Sequence, residues 1–325
     1  MGYYWQAISG HLEIKSREQP VSEMLAAPEL DSQLRNKLLL AQQARRFASA
    51  QLALPDNDSY TMFADLQRPL VVWNVVATPA LSIAPRQWCY VFVGCLNYRG
   101  FFDKQKAQAY RNELREEGFD VALAGASAYS TLGYFDDPLL NTMLRRNETE
   151  LVGVIFHELA HQLVYVKGDT AFNEGFASTV EQEGLRRWYA AQGDAQKFRQ
   201  YLHDKQQRQA IFQLLKRTRS ALDAVYRSER DVHIKLTEKK AIFASLKAEY
   251  QAWRSSHDYA GFDKWFAQDL NNAHLALIAT YQDLVPNFLA VLDSVDGSLP
   301  LFYKKVEQLA NLPEQERQAA LSSQT

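Results

Sequence analysis

Residues 151–166, LVGVIFHELAHQLVYV, decide how the rest of this chain is read. The run is apolar and carries no Gly or Pro after Gly153, enough for three turns of helix. Asn147, with a carboxylate three residues on at Glu150, has the pattern of a capping box, so the spacing predicts a helix starting there. On such a helix His157 and His161 share one face, roughly 6 Å apart. Two imidazoles so placed can reach one Zn²⁺ at about 2.0–2.1 Å, which leaves Glu158 to act on the attacking water. The pattern points to a zinc hydrolase.

A catalytic zinc wants three protein ligands and one open position. Twelve residues after His161 comes Asn173-Glu174-Gly175-Phe176-Ala177-Ser178-Thr179-Val180-Glu181. Asn173 is expected to cap a second helix, with Glu174 projecting from its first turn as a hard oxygen ligand. Gly168 and Asp169 mark the reversal between antiparallel helices. The helix macrodipole alone also favours an acidic residue at that place; beside HELAH we read Glu174 as a ligand. Glu181, about two turns further along the same face, stays open between a reserve ligand, a partner for one of the histidines and a solvated charge.

HELAHQ at 157–162 followed by NEGFASTVE at 173–181 resembles the gluzincin metallopeptidases, particularly their zinc aminopeptidases. The resemblance implies that His157, His161 and Glu174 bind one Zn²⁺ per chain and that Glu158 is the general base. The linker between the motifs is shorter than that group usually has. It is similar to the linker of a smaller family of bacterial predicted aminopeptidases, which YYWQAISGHL (3–12), CYVFVGCLNYRGFFD (89–103) and AYSTLGYFDDPLL (128–140) also resemble. Gluzincins stabilise the oxyanion with a tyrosine or histidine from a downstream helix. That implies Tyr281 as the catalytic partner, with His274, seven residues before it, as the other candidate. The peptide would lie along an edge strand at GASAYSTLGYF, 125–135. The Gly-x-Met-Glu-Asn stretch whose Glu grips the substrate α-amine is replaced by Gly125-Ala126-Ser127-Ala128-Tyr129, without a carboxylate. Asp136 or Asp137 is the alternative anchor, although FDDP is good turn chemistry and we read it as a turn.

With 325 residues, 47% of them hydrophobic, the chain can bury one sizeable core or two modest ones. A net charge of −2 and the lack of a basic stripe argue against nucleic acid as a partner. No apolar run approaches the length of a membrane-spanning helix. Met1-Gly2, running straight into Tyr3-Tyr4-Trp5-Gln6, reads as an added start, which leaves room for a removed export signal. The family it resembles often opens with a lipoprotein signal before such a YYWQA stretch. The expected location is therefore the periplasm or the periplasmic side of the outer membrane, with the cytoplasm as the alternative. Cys89 and Cys95 flank YVFVG in a run that reads as a strand. A straight strand would hold them roughly 20 Å apart, so a disulfide needs a bend, for which Gly94 is the obvious place. Disulfide and buried free thiols both remain open.

The fold expected is helix-dominated α+β in a single domain, 1–325. Residues 60–190 are read as the sheet plus the active-site helices, and the resemblance makes that subdomain zincin-like. LDSQLRNKLLLAQQARRFASAQL (30–52) predicts an amphipathic helix, and strands are expected at LVVWNVVAT (70–78), WCYVFVGCL (88–96) and VALAGASAYST (121–131). Residues 194–256 predict a long antiparallel helical hairpin turning near Asp231-Val232-His233, usable as a protein-binding arm. The tail from Pro313 is expected to fray. The leading functional reading is a zinc aminopeptidase acting on short peptides. A zinc endopeptidase and a non-catalytic, zinc-containing binding or assembly protein are the alternatives.

Overall fold

Helix dominates the chain and strands are confined to small sheets, an α+β architecture. The computed structural model describes residues 10, 12–90, 94–127, 136–277 and 284–323. Two compact units divide the chain: 1–71 with 127–198 and 281–325, and 72–126 with 199–280.

The first unit opens with β1 (Glu18–Pro20), α1 (Val21–Ala26), α2 (Ser32–Leu52) and β2 (Met62–Ala64). Helix α2 is the one predicted over 30–52. Asp31 caps it by accepting the Leu34 N–H at 2.9 Å. Leu38, Ala41, Ala44, Ala48 and Leu52, three or four apart, form its buried stripe.

The chain then builds the sheet of the second unit: β3 (Val72–Pro79), β4 (Trp88–Tyr90), β5 (Gly94–Leu96), β6 (Arg99–Phe101), α3 (Lys104–Glu116) and β7 (Phe119–Ala126). Strand β3 is central, antiparallel to β7 from Val72 opposite Ala126 to Pro79 opposite Phe119, and antiparallel to β6 on its other edge. The run 88–96 is two short strands rather than one. They pair with Cys89 opposite Cys95, and the two residues form a disulfide with Cα atoms 3.9 Å apart. Folding the strand back on itself removes the separation that a straight strand would impose.

Back in the first unit come β8 (Leu139–Leu140), α4 (Asn141–Leu144), α5 (Glu148–His161) and α6 (Thr170–Ala191). β2 sits between β1, antiparallel to it, and β8, parallel to it. The HELAH helix thus groups with this small sheet, while the longer strands group with the hairpin. Helices α2, α5 and α6 meet around an aromatic cluster in which Phe47 lies 6.0 Å from Phe156 and 5.1 Å from Trp188, ring centre to ring centre.

Helix α7 (Ala195–Arg227), in the second unit from Arg199 on, and α8 (Val232–Arg254) form the predicted hairpin. Asp231 caps α8 by accepting the His233 N–H at 2.7 Å. The antiparallel register is fixed by Lys235 Nζ on the Tyr226 carbonyl near the turn and by Arg217 beside Glu249 further along. Ile211, Leu214, Leu215, Leu222, Phe243, Leu246 and Tyr250 share one core with residues of α9 (Asp263–Phe266) and α10 (Asn272–Ala276).

Helices α11 (Val285–Asp293), α12 (Leu299–Ala310) and α13 (Glu314–Ser322) complete the first unit. The tail, expected to fray, is helical from Glu314 to Ser322. Arg317 is 5% exposed and donates two hydrogen bonds to Asp169 Oδ2, at 2.7 and 2.9 Å, with its guanidinium over the Phe172 ring. One arginine and Leu321 dock a stretch too polar to show a helical period, because the arginine finds a carboxylate distant in sequence.

Candidate metal centre

Helix α5 starts where the capping box places it. Asn147 Oδ1 accepts the Glu150 N–H at 2.9 Å, and Glu150 accepts the Asn147 N–H at 3.2 Å. Counting from this cap, Leu151, Val152, Ile155, Phe156 and Leu159 fall inside the core, and His157 and His161 share a face.

The start of α6 differs from expectation. Asp169, not Asn173, is the cap, accepting the Phe172 N–H at 3.0 Å, and the helix begins at Thr170. Glu174 therefore leaves from the second turn rather than the first. Asn173 is occupied otherwise: its amide donates to the Val166 carbonyl and accepts the Val166 N–H, both at 2.8 Å. An amide carries donor and acceptor together and so matches both backbone groups of Val166, which a carboxylate does not. The reversal comes at Gly168, as expected, with φ +88°, a conformation that glycine adopts without steric cost.

Three side chains converge. His157 Nε2 lies 3.2 Å from His161 Nε2 and 3.3 Å from Glu174 Oε2, and His161 Nε2 lies 3.5 Å from Glu174 Oε1. Donor atoms placed 2.0–2.1 Å from a tetrahedral centre are about 3.4 Å apart. Two histidines and one carboxylate at this spacing fit a catalytic zinc, and their donor atoms all lie within 4.8 Å of one another. Both histidines are largely buried, whereas the Glu174 side chain is 55% exposed, so the cluster opens toward solvent on that side.

Glu181 takes the role of histidine partner among the three left open: its Oε2 is 3.2 Å from His157 Nδ1. A bond there turns the other ring nitrogen, Nε2, toward the cluster. Gly153, one turn before His157, makes this contact fit. A Cβ at that position would lie 3.2 Å from both Cγ and Oε1 of Glu181, so the carboxylate would have to give way. Among the described residues His161 Nδ1 has no such partner.

Charge within the cluster is unevenly shared. Burial pushes the His157 imidazole down, but hydrogen bonds to Glu174 and Glu181 outweigh it and hold the group up at about 10. Burial and the nearby charge of His157 depress His161 to about 4. Burial raises Glu158, and Glu174 and Asp137 add to that rise against the pull of His157 and Arg146. Protons and a cation compete for such nitrogens, so metal uptake here would release protons.

Several neighbours carry no motif and escape a sequence reading. Tyr60 is fully buried in a left-handed conformation, φ +65°, and its N–H donates to the Asp137 carbonyl at 2.7 Å. Burial, and then the charges of Glu158 and Asp137, push its phenol well above the ordinary value. The loop that holds it is tied to the HELAHQ motif, because Gln162 Oε1 accepts from Asn57 at 2.7 Å and Gln162 Nε2 donates to Ser59 at 3.2 Å. Asp137 is buried beside this group and Asp136 is exposed. Tyr281 and most of the expected edge strand, 128–135, lie outside the described residues. His274 is buried in the second unit, where its Nδ1 accepts the Asn271 N–H at 3.2 Å and caps its own helix. Burial holds it down at about 4.

No curated protein and no solved structure matches the chain. The family model described as "Putative aminopeptidase" matches residues 2–321, nearly the whole length. The chain with this His157–His161–Glu174 cluster therefore belongs to that aminopeptidase family.

Proposed function

We propose that the protein is a zinc-dependent aminopeptidase of the gluzincin type, acting on short peptides. The observation that carries this reading is the spacing of 3.2, 3.3 and 3.5 Å among His157 Nε2, His161 Nε2 and the Glu174 carboxylate. Zinc held by these three residues would supply Lewis acidity toward the scissile carbonyl and a water. Glu158 takes the proton from the attacking water and delivers it to the leaving amine. Its raised affinity for a proton suits both halves of that transfer. Glu181 orients His157, and Gly153 leaves room for it. Tyr60, which keeps its proton, is the described phenol whose environment couples to Glu158, and it serves as a neutral hydrogen-bond donor. Tyr281 remains the candidate that the resemblance supplies for the oxyanion. Asp137, buried and close enough to Glu158 to shift it, is the carboxylate we assign to the substrate's α-amine.

The Cys89–Cys95 disulfide supports a periplasmic location, since such bonds persist in oxidising compartments. Among the described residues no helix is long and apolar enough to cross a membrane.

Wild type and Glu158→Gln, assayed for zinc and then incubated with a mixed peptide library read by mass spectrometry, test the reading. We expect about one zinc per chain in both proteins and stepwise loss of N-terminal residues in wild type alone. Internal cuts would make the protein an endopeptidase. Zinc without cleavage in either protein would leave a binding protein, and absence of zinc would overturn the metal assignment.

A further inference from the structure

The second unit holds a cavity of about 380 Å³, within the size range of small-molecule pockets. Its apolar wall is Leu81, Ile83 and Ala84, from the loop after β3, and its polar wall is Arg219, Asp223 and Arg227 on α7. The loop is anchored from behind. Lys239 Nζ and Asn272 Nδ2 donate to the Ala80 carbonyl at 2.9 and 3.1 Å, and Ile83 packs against the hairpin core. The cavity is therefore formed by fixed parts of this unit.

Its hydrogen-bonding capacity is unbalanced. Asp223 is taken up by Arg227, Nε to Oδ2 at 2.8 Å. Tyr226, also on the wall, donates its hydroxyl to Asn272 Oδ1 at 2.8 Å. Ser82 Oγ accepts the Ala84 N–H at 3.1 Å, which leaves the hydroxyl proton for another acceptor. Arg219 is the outlier: its Nη1 is buried and has no hydrogen-bond partner among the described residues. Burial pushes this guanidinium down, opposed only by Asp223 four residues on. Two arginines against one aspartate leave the wall one positive charge in excess, beside an apolar wall.

We propose that this cavity binds a small organic carboxylate with an apolar tail, its carboxylate on Arg219 and Ser82 and its tail along Leu81 and Ile83. Arg219 lines the cavity, and a planar guanidinium is suited to a carboxylate, which it can grip through two parallel hydrogen bonds. The aliphatic wall selects for a tail over a bare anion.

Isothermal titration of the full chain with acetate, butyrate and hexanoate tests the site, with inorganic phosphate and hexylammonium as controls. We expect saturable binding that strengthens by about fourfold per added methylene, because each is taken out of water. Arg219→Gln should weaken hexanoate binding by about tenfold or more, and Arg219→Lys, which keeps the charge and loses the fork, by less. Melting curves establish that both variants are folded; should Arg219→Gln not fold, Arg219→Lys decides. Glu158→Gln should bind hexanoate as wild type does, so failure of the peptidase reading leaves this test intact. Equal binding of phosphate and hexanoate would overturn the tail, equal binding of hexylammonium would overturn the charge, and an unchanged affinity in both Arg219 variants would overturn the site.

Discussion

Two helix pairs in this molecule use burial in opposite ways. In the hairpin of α7 and α8 the buried positions are Ile211, Leu214, Leu215, Leu222, Phe243, Leu246 and Tyr250, with Thr218 hydrogen-bonding within its own helix. In the pair α5 and α6 the interior also takes His161, Asn173, Thr179 and Glu183, and His157 is only slightly more exposed. Polar groups out of water cost free energy unless they are partnered. The hairpin therefore shows what packing alone selects, and the α5–α6 pair carries polar groups that packing does not explain. What sets the two apart is chemistry placed on one face: nitrogens and carboxylates held within ligand distance by a neighbouring helix.

If that contrast is right, mutations in the two pairs should separate activity from stability. The largest effect belongs to Glu158→Gln. Peptide turnover should fall by about 10²–10⁴-fold, the usual contribution of a general base, with zinc content and melting temperature unchanged. Steady-state assays beside metal analysis check it, and a parallel loss of zinc would mean that Glu158 supports the cluster rather than the reaction.

Leu246→Ala probes the other pair. Its side chain is 1% exposed, so truncation should cost about 3 kcal/mol in urea unfolding while zinc stoichiometry stays at its wild-type value. A variant that lost zinc at native denaturant concentrations would erase the distinction drawn between the pairs.

A subtler break is Gly153→Ala. The added methyl meets Glu181 at 3.2 Å and should displace it from His157. Zinc affinity is then expected to drop about tenfold, as removal of a histidine's hydrogen-bond partner commonly does. Competition with a chelator measures it, and Glu181→Gln should move the same way.

The smallest effect concerns Glu183, which is nearly buried between Arg186 and Arg187 at 2.7 Å. Burial alone would raise it, but hydrogen bonds from both arginines outweigh that and hold it below its ordinary 4.5. A depressed carboxylate contributes stability above its unfolded value and loses it as pH falls through the folded one. Glu183→Gln should thus lower stability by about 1 kcal/mol at neutral pH, and the gap to wild type should narrow as pH falls below 4.5. Urea midpoints at the two pH values decide it, and a gap that persists in acid would show that packing rather than charge is what Glu183 supplies.

Local signals were legible wherever one residue acts on a near neighbour. The Asn147–Glu150 box, the reversal at Gly168, the hairpin turn near Asp231 and the apolar stripe of the hairpin each depend on spacings of a few residues, which the sequence displays directly. Asn173 misled because any Asn or Asp can cap, and which one does depends on where Val166 and Arg317 come to lie. Tyr60 carries no period or motif, since its partner Asp137 is far away along the chain. The undecided disulfide turned on one fact, that the run 88–96 pairs with itself.

By itself the sequence determined the helix-dominated α+β class, the helix on which His157, Glu158 and His161 lie together, and Glu174 as their companion. Four-residue spacing on a helix is geometry that every α-helix shares. Only the tertiary structure decided that Glu174 closes to 3.3 and 3.5 Å of the two histidines, that Glu181 engages His157, and that Arg317 holds the cap of the second helix. Those depend on how separate segments pack, and a packed contact is set by shape and burial on both sides, which no single stretch of chain contains.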